Sequence, residues 1–153
     1  MIQKQTVLLI DDAEPMGKFL GLFLSSKYEV TLCQDSGEAI QLLENGFRPS
    51  AIVTDLEMPA LSGTKLITQL RSLRPNTPIC VVSGLQESRH RIESLNAGAD
   101  DFLTKPLHPA ELSLRIGKAI TRSNTVLPVE KNQPAPRFSW ASFSYLSRVA
   151  AAF

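Results

Sequence analysis

The chain has 153 residues, 43% of them hydrophobic and 20% charged, which suits one ordinary domain with an appendage and excludes a disordered composition. Sixteen basic against fifteen acidic residues leave a net charge of +1, so no basic excess argues for direct nucleic-acid binding. The longest apolar run, Phe19–Leu24, is far too short to cross a bilayer, and no signal segment is visible; the expectation is a cytoplasmic protein with no membrane partner.

Short β-type runs alternate with longer helix-type stretches. Thr6–Asp11 reads as the first strand, followed by a helix that Pro15 opens and that runs to about Ser26, with Phe19, Leu20, Phe23 and Leu24 on its apolar stripe. Glu29–Cys33 reads as the second strand. The stretch SGEAIQLLENG then starts with a capping Ser36, turns Ile40 and Leu43 inward and stops at Asn45-Gly46. Ala51–Asp55 is apolar nearly throughout, as expected of a strand covered on both faces. The helix after it, SGTKLITQLRSLRP, buries Leu66, Ile67, Leu70 and Leu73 and ends at the next proline. Pro78–Ser83 is the fourth strand, and ESRHRIESLNAGA carries Ile92 and Leu95 on its stripe and stops near Gly98. Asp101–Thr104 and HPAELSLRIGKAI, with Leu112, Ile116 and Ile120, close the series. Cys33 and Cys80 each lie inside an apolar run without a partner at metal spacing, and read as buried small hydrophobes.

Five β-then-α repeats with short connections predict an α/β fold, an open doubly wound parallel sheet with helices on both faces. In such sheets ligands bind beyond the carboxyl ends of the strands. Residues 1–122 carry this pattern. Residues 123–137 include three prolines without periodicity and read as a linker. Residues 138–153 hold five of the chain's ten aromatics and no acid, with Trp140, Phe143, Leu146, Ala150 and Phe153 near one helical stripe. That tail reads as a docking helix or as the beginning of an output domain.

The strand ends gather one polar set: Asp11 and Asp12 from the first, Asp55 from the third, Ser83 from the fourth, and Lys105 followed by Pro106 from the fifth. Three carboxylates in one place repel each other and hold protons more tightly unless a cation joins them. Hard oxygen ligands of this kind suit Mg²⁺, which keeps waters and completes its shell with phosphate oxygens.

The motifs LLIDD, IVTDLEMPALSG, VVSG and AGADDFLTKPL, in that order, resemble the receiver domains of two-component response regulators over about residues 5–122. The resemblance implies a flavodoxin-like sheet of order 2-1-3-4-5 with five helices. It makes Asp55 the phosphoacceptor, with Mg²⁺ held by Asp11, Asp12, Asp55 and the backbone carbonyl of Glu57. Ser83 and Lys105 would hold the phosphoryl group, Phe102 would be the switch aromatic, and the Lys105–Pro106 bond would be cis. A sensor histidine kinase or phosphotransfer protein would be the donor, and a downstream protein would read the helix 4–strand 5–helix 5 face. The active species would be a monomer or a phosphorylation-dependent homodimer, and the chain would be a switch with self-phosphorylating and self-dephosphorylating activity rather than an enzyme.

Each residue also has a plainer reading. Asp11 and Asp12 could cap the first helix, Ser83 could serve a turn, Phe102 could be core alone, Glu14 reads as a solvated first turn, Asp101 as a loop acid, and Lys65 and Arg89–Arg91 as exposed helix charge. Glu57 and Leu85 flank the expected site with one acid and one apolar side chain, which predicts an altered acyl-phosphate lifetime. Two other functions compete. A Mg²⁺-dependent aspartyl phosphatase needs a second acid at position 13, where this chain has Ala. A flavin-binding electron carrier needs a hydroxyl- and glycine-rich phosphate cradle, where this chain has carboxylates.

Overall fold

In the computed structural model, residues 2–61 and 63–125 are described; the linker beyond 125 and the aromatic tail at 138–153 lie outside the described residues. Ten elements alternate along the chain: β1 (Thr6–Ile10), α1 (Glu14–Leu24), β2 (Glu29–Cys33), α2 (Ser36–Glu44), β3 (Ala51–Thr54), α3 (Gly63–Leu73), β4 (Ile79–Ser83), α4 (Ser88–Ala97), β5 (Asp101–Thr104) and α5 (Pro109–Thr125). All pairings are parallel and the strand order is β2-β1-β3-β4-β5, the flavodoxin-like arrangement.

The sheet forms where apolar residues occupy both faces of a strand. β1, β3 and β4 are buried almost throughout, because helices cover the sheet above and below. Successive side chains point to opposite faces, so Val7 and Leu9 enter a core with Leu20, Leu24, Leu112, Ile116 and Ile120 under α1 and α5. Leu8 and Ile10 enter the other core, with Leu43, Leu66 and Leu70 under α2 and α3. The cysteines fall on opposite sides of the sheet, Cys80 in the first core and Cys33 in the second, and both are free thiols. Burial pushes their pKa values up, to about 11 for Cys33 and about 12 for Cys80, so neither is a ready nucleophile.

Several expectations shift in detail. Ser36 is not the cap of α2: Asp35 is, its carboxylate accepting from the Glu38 amide at 2.7 Å, because an ionised oxygen there satisfies an orphan amide and faces the positive helix end. Along α1 only Leu20 and Leu24 of the four stripe residues reach the core, together with Gly17; Phe19 and Phe23 face outward. Gly17 makes room there for close packing, since a Cβ would stand 3.2 Å from Leu32 Cδ1 on β2 and that side chain would have to give way.

The stripe expected on α4 is reversed. Ile92 and Leu95 are exposed, and the inner face is made of small groups, Ser94 and Ala97, while the exposed Arg91 stacks its guanidinium on the Phe102 ring. Small residues let this helix lie close to the sheet edge, and the Ser94 hydroxyl is satisfied by the His90 carbonyl at 2.7 Å. α4 ends at Gly98, whose φ of 122° lies in a region that disfavours any side chain, above the stem of Arg71. At the other end of the chain, α5 continues to Thr125, three residues into the stretch expected to be linker.

Candidate functional site

The carboxyl ends of the strands are fixed to one another by ladder hydrogen bonds that continue just past the strands. The Asp11 amide donates to the Cys33 carbonyl at 3.0 Å, the Asp55 amide to that of Ile10 at 3.1 Å, and the Lys105 amide to that of Ser83 at 2.8 Å. Asp11, Asp55, Ser83 and Lys105 therefore leave adjacent strands at one level of the sheet.

Their side chains converge. The Lys105 ammonium lies 2.7 Å from Asp55 Oδ2 and 3.7 Å from Asp11 Oδ2. Asp11, Asp12 and Asp55 each offer a carboxylate oxygen within 4.8 Å of the others; Asp11 and Asp55 are buried and Asp12 is exposed. Two backbone amides aim the buried pair, Ala13 donating to Asp11 Oδ1 and Glu57 to Asp55 Oδ1, both at 2.9 Å. Each aspartate thus has one oxygen held by the backbone while the other, Oδ2, meets the lysine.

Burial raises the Asp11 pKa above the usual carboxylate value, the Ala13 amide and Lys105 opposing it, and the charges of Asp55 and Asp12 adding to the rise. Burial alone would depress Lys105, but its hydrogen bond to Asp55 and the charges of Asp55, Asp11 and Glu57 outweigh it and hold the ammonium above its ordinary value. The cluster carries more negative charge than one lysine neutralises, and its donors are all oxygen. A small hard cation fits this set: three carboxylates supply ligands and charge, as Mg²⁺ requires.

Ser83 is fully buried at the end of β4, its hydroxyl accepting from the Leu85 amide at 3.1 Å. Glu57 leans across the opening between the β3–α3 and β4–α4 loops; a Cβ on Gly84 would stand 3.2 Å from its Oε2. Leu85 turns away from that rim and packs with the apolar cluster around Leu56, Val81 and Phe102. Phe102 points inward and is 4% exposed. The Lys105–Pro106 bond is cis.

Two groups escaped the sequence reading. Arg91 is not simply solvated charge: its guanidinium sits 5.4 Å from the centre of the Phe102 ring. Asp101 is paired with Arg115 at 3.1 Å, which also reaches Glu111 on α5. Both contacts bridge β5 to a helix, and spacing within one element carries no trace of them.

An open parallel sheet with an acidic trio and a lysine at its carboxyl edge defines a class rather than one protein. The chain belongs to the response regulator receiver domain family, whose sequence model matches residues 7–117. It is 38% identical to the transcriptional regulatory protein PrrA of Mycobacterium tuberculosis over 143 residues, which cover 86% of this chain and 60% of PrrA. The chain therefore spans less than two thirds of that relative's length. The receiver domain of the Francisella response regulator 1452 is 34% identical, with a TM-score of 0.72 over 78% of this chain and 98% of that one. A CheY-like receiver domain protein from Methanospirillum hungatei is 28% identical, with a TM-score of 0.75 over 80% of this chain and 98% of that one.

Proposed function

We propose that this receiver accepts a phosphoryl group from a sensor histidine kinase or phosphotransfer protein onto Asp55, in a Mg²⁺-dependent reaction. The supporting observation is the Lys105 ammonium 2.7 Å from Asp55 inside a three-carboxylate cluster. Asp11, Asp12, Asp55 and the Glu57 carbonyl would hold the ion. Magnesium, when bound, screens the carboxylates from the anionic phosphoryl oxygens.

The protein's own share is positioning and charge. One oxygen of Asp55 attacks phosphorus in line while the bond to the donor nitrogen breaks, giving an acyl phosphate. The Glu57 amide keeps the carboxylate oriented throughout. Lys105, already beside the nucleophile, pairs with a phosphoryl oxygen as a compact charge. The Ser83 hydroxyl turns from the Leu85 amide toward the phosphoryl group, and that exchange of partner moves the β4–α4 loop.

Phe102 lies directly beneath this loop, in one apolar cluster with Leu85, and carries the movement to α4 through Arg91. The α4–β5–α5 face thereby changes its preference for a downstream protein, a population shift rather than a new structure. Without a hydroxyl, Phe102 acts through packing alone. The reading places the chain in the cytoplasm as a monomer or a phosphorylation-dependent homodimer; among the described residues, no helix is long and apolar enough to cross a membrane.

Borohydride reduction of the acyl phosphate, followed by peptide mapping, tests the assignment. Homoserine at position 55 is the expected product, and a modified residue elsewhere would refute it.

A further inference from the structure

The end of the molecule opposite the acidic cluster is cationic. Lys27 and Tyr28 immediately precede β2, and α5 returns from the carboxyl edge of the sheet, so its Arg122 finishes beside them at the amino ends of the strands. With Leu114 and Lys118 they line an open groove of about 490 Å³.

One wall of this groove is firmly built. Tyr28 is 2% exposed, its hydroxyl donates to the Ser113 carbonyl at 3.3 Å, and the Lys27 ammonium rests 5.6 Å from the centre of its ring. Gly117 on α5 leaves space for both, since a Cβ there would stand 3.2 Å from Tyr28 Oη and 3.6 Å from Lys27 Nζ. The other wall is Leu114, Lys118 and Arg122, which recur every four residues and so share one face of α5.

Three cations share this groove, and no acid lines it. Lys27, Lys118 and Arg122 have no acidic partner among the described residues. Arg115, also on α5, is by contrast neutralised by Asp101 and Glu111. The nearest acid along the chain, Glu29, stands next to Val30, which packs in the same core as Tyr28; strand alternation sends Glu29 to the other face.

This arrangement is costly without a counter-charge. Lys118 and Arg122 lie one turn apart and repel each other, and Lys27 faces them. A cleft lined by one sign of charge focuses its field on an ion of the other sign. The carbonyls that end α1 oppose that attraction, but the Lys4 ammonium donates to the Ser25 carbonyl at 2.9 Å and offsets them.

We propose that this groove binds the polyphosphate group of a nucleotide-sized small molecule. Its volume lies within the roughly 300–1,000 Å³ of ligand pockets. Arg122 supplies a planar fork that can grip a phosphate at two points, and the two lysines act as compact charges. Leu114, 61% exposed, gives apolar surface for the rest of the molecule. An acidic peptide would have to order three separate side chains to supply the same charge; a polyphosphate carries it in one short chain. The site lies at the far end of the sheet from Asp55 and stands independently of the role proposed for that residue.

Titration calorimetry at about 0.15 M salt, with a chelator to keep metal-bridged phosphate off the acidic cluster, tests this. Sodium tripolyphosphate and adenosine triphosphate should each bind at one site, the nucleotide at least as tightly. Lys118→Gln with Arg122→Gln should weaken both at least tenfold with far-UV circular dichroism retained, and Lys27→Gln several-fold. Arg115→Gln, on the neutralised side of α5, should leave both unchanged. The amide resonances of Gly117 and Thr121 should shift on binding while those of Asp55 and Ser83 stay in place. Absence of binding, binding blind to the groove substitutions, an equal loss in Arg115→Gln, shifts centred on Asp55, or tighter binding of a polyglutamate peptide would each overturn the proposal.

Discussion

The ammonium of Lys105 sits 2.7 Å from the carboxylate of Asp55, fifty positions earlier in the chain, and 3.7 Å from that of Asp11. One lysine thus faces two buried acids, and a third acid stands at the rim. Lys105→Met should fold and still bind Mg²⁺, since the oxygen ligands remain. It should slow acetyl-phosphate labelling of Asp55 at least tenfold, the loss of a charge-assisted contact to a phosphoryl oxygen being worth about 1.5–3 kcal/mol. Labelling kinetics followed by intact mass would measure it, and an unchanged rate would remove Lys105 from the reaction.

Asp11 gives a prediction about pH and metal. Its folded pKa is raised, chiefly by burial, so the native state holds its proton more tightly than the unfolded chain. The stabilisation that follows is fully present below the ordinary carboxylate pKa of 3.8 and is lost as pH rises through the raised value. At neutral pH the buried charge is a burden unless a cation shares it. Asp11→Asn should therefore raise the metal-free melting temperature by roughly 2–4 °C and abolish most of the increment that Mg²⁺ gives the unsubstituted protein. Thermal scans with and without Mg²⁺ at neutral pH would show it; a lower metal-free melting temperature would contradict the argument.

The rim between the β3–α3 and β4–α4 loops holds Glu57 over Gly84, while Leu85 packs inward against the Phe102 cluster. A carboxylate at the opening affects how water approaches an acyl phosphate. Replacing both residues, Glu57→Asn with Leu85→Glu, should change the dephosphorylation rate several-fold. Equal rates for the two proteins would mean that neither side chain borders the water's path.

Arg91 and Phe102 couple α4 to β5. Arg91→Ala should cost about 0.5–1 kcal/mol in urea unfolding, the value of an exposed cation–π contact, and should weaken the response of the α4 face to phosphorylation. Hydrogen exchange in α4 before and after acetyl phosphate would read the second effect. An unaltered exchange response would leave Phe102 as core alone.

Arg71 supplies a contrast, because its role is purely architectural. Its guanidinium donates to the carbonyls of Thr77 at 2.7 Å and Gly98 at 2.6 Å and pairs with Asp100 at 2.7 Å, tying the end of α3 to the turns before β4 and β5. Arg71→Met should destabilise by roughly 2–4 kcal/mol yet leave the Mg²⁺ increment intact. A lost increment would show that the site depends on this corner after all.

The sheet was legible in the sequence because its strands are buried on both faces. Runs such as VLLI, AIVT and ICVVS have few other uses, and the polar residue ending each run marks the edge where the site forms. Asp11, Asp55 and Lys105 follow once the strands are parallel. Contacts made across elements were not legible. The spacing of Ile92 and Leu95 suggested an inner face for α4, but the small Ser94 and Ala97 hold it, packed toward the Phe102 cluster. The cap of α2 moved by one residue, from Ser36 to Asp35, since both are good caps and only the carboxylate reaches the Glu38 amide. On α1 the same pattern that places Leu20 and Leu24 inside also contains Phe19 and Phe23, and nothing in the spacing distinguishes a core stripe from an exposed flank beside it.

The central claim is that Asp55 receives a phosphoryl group with the help of a cation held by its acidic neighbours. The most direct measurement is intact mass after incubation with acetyl phosphate, comparing the unsubstituted chain with Asp55→Asn, each with Mg²⁺ and with a chelator. The account predicts one added phosphoryl group in the unsubstituted chain with Mg²⁺, and none in the other three samples. Equal labelling of Asp55→Asn, or undiminished labelling under chelation, would contradict it.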